Sequence, residues 1–227
     1  MKTLAIGFVA QGFAPDVGGV ETHTHDLARA LLARGHQVLE ELFPGVTAEL
    51  VAAYLALNAC YSLGLKHVPV LDVFLIAAGF MLRLLAGTWG IGIEPSRWLL
   101  ACGFLLTLFL GFAKRRAELE RLADDAGQHR AVLASYTLAF LDKAAFACVV
   151  GMVVTYGLYT VSADTVALHA TEHLIWTLPW VLLGSFRYLF RLNFRGGGGD
   201  PTQELLRDPL LAAAALGWVG TVLWLIG

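Results

Sequence analysis

Residues 69–93 read PVLDVFLIAAGFMLRLLAGTWGIGI, an apolar run that is interrupted by only two charged side chains, Asp72 and Arg83. A helix needs about 20 mostly apolar residues to cross the hydrocarbon core of a bilayer, and this run supplies them. A charge at that depth is costly, so it usually faces a partner or a polar cavity. The stretch therefore predicts a transmembrane helix with Asp72 and Arg83 on its inward side.

The composition of the whole chain supports a membrane protein. Its 227 residues are 57% hydrophobic and 15% charged, with a mean hydropathy of +0.66. Soluble domains are about 45–50% apolar and about 25% charged. The net charge of -2 gives no basic excess, so a nucleic-acid partner is not expected. We predict a multi-pass protein of the plasma membrane.

The apolar residues form six segments that we predict as membrane spans. Together they indicate an all-α fold, a polytopic transmembrane helix bundle. Connecting loops that are rich in lysine and arginine alternate along the chain with loops that are poor in them. The positive-inside rule places the rich loops in the cytoplasm and the C-terminus outside. The predicted spans are residues 47–65, 69–93, 98–113, 144–161, 173–190 and 210–227. The predicted inside loops are residues 64–68, 114–135 and 187–209.

The first 45 residues follow a different pattern. Residues 3–9 (TLAIGFV) predict a short strand, and residues 22–38 (THTHDLARALLARGHQV) predict a helix and the start of a second strand. Together with Pro15 and the GGVE run at 18–21, this stretch resembles the N-terminus of family 4 glycosyltransferases. We therefore predict a βαβ-like, glycosyltransferase-like fragment at residues 1–45 and a separate membrane domain at residues 46–227.

The membrane part resembles the UbiA-type prenyltransferase family. The motifs that carry the resemblance are YSLGLK at residues 61–66, PVLD at 69–72, KRRAEL at 114–119 and SY at 135–136. The similarity runs from about residue 50 to the C-terminus. It is strongest to the branch that transfers phosphoribose from phosphoribosyl pyrophosphate to a polyprenyl phosphate, a step in making cell-wall arabinan precursors. The resemblance implies these two substrates and a transferase activity.

The family pattern also implies parts that this sequence does not contain. Members have nine transmembrane helices and an aspartate-rich loop motif, NDxxDxxxD, that holds Mg²⁺ and a diphosphate. That motif does not occur in the chain. The six predicted spans are therefore matched to helices four to nine, which makes an incomplete UbiA-type bundle. Mg²⁺ is the implied cofactor, its ligands in this chain are unknown, and loss of activity is one expectation.

Candidate site residues are the charged and polar groups within the matching motifs. Arginine binds phosphate through two parallel hydrogen bonds, and lysine binds it as a point charge. Glu118 is predicted to orient Lys114 across one helical turn. The alternative is that these charges only set the topology. The predicted catalytic cations are Lys66, Arg83, Lys114 and Arg115, and the predicted substrate-binding residues are Tyr61, Asp72, Arg116 and Glu118.

Three other functions remain open from the sequence. One is transfer of a prenyl group from its diphosphate to an aromatic or other acceptor, although the basic residues 114–116 do not favour it. A second is glycosyl transfer, which only residues 3–38 suggest. A third is an inactive, truncated remnant, because the aspartate motif does not occur.

Overall fold

The computed structural model describes residues 46–90, 92–124, 133–194 and 199–227. Within these ranges every regular element is helical, which confirms the all-α class. The predicted βαβ fragment and the domain boundary at residue 45 lie outside the described residues. The helices are α1 (Val46–Leu63), α2 (Leu71–Gly90), α3 (Arg97–Asp124), α4 (Leu138–Val161), α5 (Ala163–His169), α6 (Leu178–Phe194), α7 (Pro201–Arg207) and α8 (Pro209–Ile226). Short 3₁₀ turns occupy Leu65–His67, Leu133–Ser135 and His173–Thr177.

Four of the described helices are long and apolar enough to cross a membrane, so the prediction of six spans is not supported. The four spans are Leu71–Gly90, Arg97–Arg121, Leu138–Val161 and Pro209–Ile226. The first predicted span forms α1, whose apolar part is only Glu49–Leu63. The fifth forms α6, which begins at Leu178 because the preceding residues make a 3₁₀ turn. At 1.5 Å per residue, α6 is roughly 25 Å long, shorter than the hydrocarbon core of about 30 Å.

Helix α3 is longer than the sequence predicted. Residues 114–119, which we placed at the start of a loop, continue the helix as far as Asp124. The reason is local: Arg115 pairs with Glu118 at i, i+3, and Arg116 pairs with Glu120 at i, i+4. Such pairs stabilise a helix, and arginine, glutamate and leucine are good helix formers. The basic motif is therefore held on a rigid element.

The bundle is built around α3, which packs against α2 on one side and α4 on the other. Helix α1 packs on α2, and α6 contacts both α4 and α8. Helices α2 and α3 approach closely at Gly111, where an added Cβ would lie 2.5 Å from Cγ1 of Val73. Val73 is buried and follows Asp72 directly, so this contact helps to set where α2 begins against α3.

Away from the ends of α3 and α6, a hydrogen-bonded group joins α4 to α8. The hydroxyl groups of Tyr156 and Thr177 are 2.6 Å apart, and Nε1 of Trp218 donates to the Tyr156 oxygen at 2.7 Å. Tyr156 and Thr177 are buried, so these bonds satisfy polar atoms that apolar surroundings would otherwise penalise.

Replacing Gly111 by alanine is expected to destabilise the bundle. The new methyl group would overlap Val73, and such overpacking costs about 1–3 kcal/mol. The thermal midpoint of the detergent-solubilised protein should fall. Gly103→Ala is the matched control on the same helix, since nothing lies within 4 Å of its added Cβ. Equal midpoints for the two variants would contradict the close α2–α3 contact.

Candidate functional site at the charge-rich end of the bundle

The buried charges of the described residues collect at one end of the bundle, where α2, α4 and α8 begin and α3 and α6 end. We call this the charge-rich end. At its centre is Asp72, the second residue of α2, whose side chain is fully buried. Its Oδ2 atom accepts a hydrogen bond from Nε of Arg115 at 2.8 Å, and Oδ1 accepts one from the Tyr136 hydroxyl at 2.7 Å. Both carboxylate oxygens are therefore occupied.

Arg115 binds a second carboxylate. Its Nη1 atom donates to Glu118 at 2.6 Å, and its side chain is only 5% exposed. A buried ion pair of this kind needs good geometry to offset the loss of water around both charges. Two carboxylates around one guanidinium group meet that need, and the bond to Asp72 fixes the start of α2 to the end part of α3.

The chain just before Asp72 adopts an unusual backbone conformation. Val70 has a φ of 70°, in the left-handed region that β-branched residues rarely occupy. That region costs an ordinary residue about 1–2 kcal/mol. The Val70 N–H group donates to the hydroxyl oxygen of Tyr136, the same hydroxyl that donates to Asp72. Burial, followed by the bond to Asp72, raises the pKa of Tyr136 to about 12, so the hydroxyl stays protonated at neutral pH.

Arg116 connects α3 to α4 in the same way. Its Nε atom donates to Oδ1 of Asp142 at 2.6 Å, and Nη1 donates to Glu120 at 2.7 Å. The Arg116 side chain is 6% exposed, whereas the two carboxylates are about one third exposed. Two successive arginines of α3 thus bind helices on opposite sides of α3: Arg115 binds α2, and Arg116 binds α4.

A second buried cluster joins α6, α7 and α8. Asp208 accepts hydrogen bonds from Arg187, through Nε and Nη2 at 2.8–3.1 Å, and from Nη1 of Arg191 at 3.0 Å. Arg191 also binds Glu204 of α7. Asp208 caps α8 by accepting the N–H groups of residues 210 and 211. The Arg187 hydrogen bonds hold the pKa of Asp208 well below its ordinary value.

The structure brings together four of the eight residues predicted for the site. Asp72, Arg115 and Glu118 form one cluster, and Arg116 follows on the next position of α3. Glu118 binds Arg115 rather than the predicted Lys114. Within the described part of the chain, Lys114 has no carboxylate or hydrogen-bond partner and is half-buried.

The other predicted residues lie apart from this cluster. Lys66 is exposed in the turn between α1 and α2, and among the described residues neither it nor the half-buried Tyr61 has a hydrogen-bonding partner. Arg83 lies on α2 with its guanidinium carbon 5.1 Å from the ring centre of Tyr54 on α1, and its Nε atom is 3.4 Å from the Gly79 carbonyl oxygen. Arg83 thus contacts α1 within the apolar part of the bundle.

Sequence reasoning missed several members of the charge-rich end. Tyr136 was recognised only as part of the matching motif at residues 135–136, and Asp208 was not predicted as a site residue. A usable signal was present for the second cluster: Arg187 and Arg191 are spaced i, i+4 beside an apolar segment, and charges in such places usually have partners. No comparable signal pointed to Asp142, because pairing it with Arg116 depends on how α3 and α4 pack.

The described residues do not form a site for the Mg²⁺ that the family resemblance implies. Within these ranges, no three histidine, cysteine, aspartate or glutamate side chains are grouped to hold a metal ion. The carboxylates of the charge-rich end instead bind arginine.

Removing the Asp72 side chain is expected to be strongly destabilising. Asp72→Ala leaves the buried Arg115 with Glu118 alone among its described carboxylates and removes the acceptor of the Tyr136 hydroxyl. Breaking a buried pair in this way costs about 3–5 kcal/mol. Thermal unfolding in detergent measures the loss, and Asp72→Asn should lose less because it keeps hydrogen-bonding oxygen. Asp164→Ala, an exposed position on α5, is the control. A stable Asp72→Ala protein would contradict this role.

The cluster around Asp208 should make the stability of the protein depend on pH in the acidic range. The folded-state pKa of Asp208 is lowered, so its stabilisation is present above its unfolded pKa of about 3.9 and is lost as the pH falls below that value. We expect the thermal midpoint to drop between pH 5 and pH 3, and Asp208→Asn to reduce that drop. An equally steep drop in the variant would show that Asp208 does not cause it.

Comparison with curated proteins identifies relatives of the chain, although no protein-family model matches it. A protein of Mycolicibacterium smegmatis named decaprenyl-phosphate phosphoribosyltransferase is 31% identical over 219 residues, which cover 92% of this chain and 68% of the relative. Residues 46–227 alone cannot supply that share, so the similarity extends into the first 45 residues. The same name is carried by relatives from Corynebacterium glutamicum (32% over 173 residues) and Mycobacterium tuberculosis strain H37Rv (29% over 172 residues).

The chain spans 51% and 56% of the lengths of the latter two relatives. These names do not support the glycosyltransferase resemblance of residues 3–38. The name that these relatives share agrees with the family that the motifs at residues 61–66 and 114–119 predicted. A membrane enzyme also agrees with the four apolar helices. The chain is a multi-pass membrane protein of the UbiA-type transferase family to which the decaprenyl-phosphate phosphoribosyltransferases belong.

Proposed function

We propose that the chain works in the transfer of phosphoribose from phosphoribosyl pyrophosphate to a polyprenyl phosphate. The observation that carries the proposal is at the charge-rich end, where Lys66 and Lys114 have no carboxylate partner within the described ranges while the buried arginines do. Lys66 lies in the turn before α2, and Lys114 lies beside Arg115 on α3; these are the two helices that the Asp72–Arg115 pair joins. Their charges are thus available to phosphate groups of a substrate.

The proposed reaction requires positive charge near the bond that breaks. An oxygen of the lipid phosphate attacks the anomeric carbon of the ribose, and the bond from that carbon to pyrophosphate breaks. The departing pyrophosphate gains negative charge, and cations fixed nearby stabilise it best because they need no rearrangement. We assign this role to Lys66 and Lys114, with Tyr61 and Glu118 near the bound substrate.

The predicted arginines receive separate roles in this proposal. Arg115 and Arg116 act mainly by holding α2, α3 and α4 in register, since their donors already bind carboxylates. Asp72 fixes Arg115. Arg83 is eleven residues further along α2, roughly 16 Å from Asp72 along the helix axis. We propose that it lines the part of the bundle where the substrate is apolar.

The membrane orientation that we propose follows from the positive charges. The charge-rich end lies at the cytoplasmic side by the positive-inside rule. Water-soluble phosphoribosyl pyrophosphate then reaches the lysines from the cytoplasm, and the polyprenyl tail lies among the spans. Mg²⁺ remains the cofactor that the family resemblance implies. The proposed roles of the lysines do not depend on where it binds.

Binding of phosphoribosyl pyrophosphate tests the proposal most directly. The chain spans only part of its relatives' length, and binding can be measured without the complete reaction. For the detergent-solubilised chain, Lys66→Gln and Lys114→Gln should each raise the dissociation constant about tenfold, since each removes one charge-assisted contact. Formation of radiolabelled lipid-linked phosphoribose in membranes is the second readout. It should fall in parallel.

Lys143→Gln is the matched control. Lys143 is an exposed lysine on α4, one residue after Asp142, so it has the same charge at the same end of the bundle. Its substitution should leave binding unchanged. Equal weakening by all three substitutions would indicate only general attraction of an anion. Absence of binding by the unaltered chain would overturn the proposed function.

A further inference from the structure

Tyr136 lies where three separate parts of the chain meet. It follows the 3₁₀ turn Leu133–Ser135 and precedes α4, yet its hydroxyl group contacts residues more than sixty positions earlier. The side chain is 6% exposed, and its ring stacks on Phe140 with ring centres 6.0 Å apart. The proposed chemistry does not use this residue.

The direction of the two hydroxyl bonds is fixed by their partners. The Val70 N–H group can only donate, so the tyrosine oxygen accepts from it. The Asp72 carboxylate accepts the hydroxyl proton at 2.7 Å, while Arg115 binds the other carboxylate oxygen. One hydroxyl group therefore satisfies a backbone group and a buried charge together.

These bonds act on the turn that carries Lys66. The turn is held by its own backbone bonds, from His67 N–H to Gly64 O and from Val68 N–H to Leu65 O. Two residues later, Val70 is in the left-handed conformation, which sets the direction in which the chain passes from the turn into α2. A valine rarely adopts this conformation. The Tyr136 hydroxyl supports it by accepting the Val70 N–H, and the N–H groups of residues 73 and 74 donate to the Val70 carbonyl.

We infer that Tyr136 is a positioning residue: through Val70 and Asp72 it holds the Lys66 turn in the place where Lys66 binds a phosphate group of the donor. The inference rests on the proposed function for the role of Lys66. The arrangement of the turn itself does not depend on that role. Tyr136 acts through the backbone and makes no contact with the substrate.

The first test needs no substrate. Tyr136→Phe keeps the ring but removes the hydroxyl, so the Val70 N–H group and one Asp72 oxygen lose their partner. Backbone hydrogen exchange over residues 64–74 should become faster, while exchange over α8 stays the same. Tyr156→Phe removes a buried hydroxyl elsewhere in the bundle and should leave residues 64–74 unchanged. Unchanged exchange in Tyr136→Phe would overturn the inference.

The second test separates positioning from general stability. Tyr136→Phe should weaken binding of phosphoribosyl pyrophosphate about tenfold, because loss of a buried partner disturbs the turn. In a Lys66→Gln background the same substitution should weaken binding no further, since the positioned group is gone. Multiplying effects would overturn the inference, because they would mean that Tyr136 acts independently of Lys66.

The two proposals fail in distinguishable ways. If the unaltered chain does not bind phosphoribosyl pyrophosphate, the proposed function fails, and hydrogen exchange alone decides whether Tyr136 holds the turn. If the chain binds and Lys66→Gln weakens binding, but Tyr136→Phe does not, the function stands and the positioning role is wrong.

Discussion

The arrangement of the bundle depends on the buried ion pair between Asp72 and Arg115. Neither charge can be left alone in apolar surroundings, so each forces the other's helix into place. The pair fixes the start of α2 against the end part of α3, where Gly111 allows close packing. Tyr136 and Glu118 complete the hydrogen bonds of the pair.

Ion pairs between a carboxylate of one helix and an arginine of another recur around the charge-rich end. Three of the paired carboxylates lie at or near the starts of helices, Asp72 of α2, Asp142 of α4 and Asp208 of α8. They bind arginines in the C-terminal halves of α3 and α6. Acidic groups are favoured at helix N-termini and basic groups at C-termini by the helix dipole. The pairing therefore satisfies the charges and, through Asp72 and Asp208, the starts of α2 and α8. In the described residues no buried side-chain polar atom is left without a hydrogen bond.

This arrangement divides the cations by their chemistry. Arginine forms several directed bonds and is the better partner for a buried carboxylate, whereas lysine is a strongly hydrated point charge on a flexible stem. In the described part of the chain the buried cations are arginines, and we propose that Lys66 and Lys114 bind phosphate. The proposal for substrate binding thus depends on the structural role of the arginines, because a carboxylate without its arginine would compete for the lysines.

Hydrophobicity in the sequence was enough to determine a helical membrane protein, and the motifs at residues 61–66 and 114–119 were enough to indicate its family. These features depend on neighbours along the chain or on the sum of many residues. The number of spans, the helical state of residues 114–124 and the partners of Arg115 and Arg116 were decided only in the tertiary structure. The reason is that an arginine between several carboxylates has no local rule for choosing one; helix packing brings Asp72 and Asp142 within reach of α3 from opposite sides.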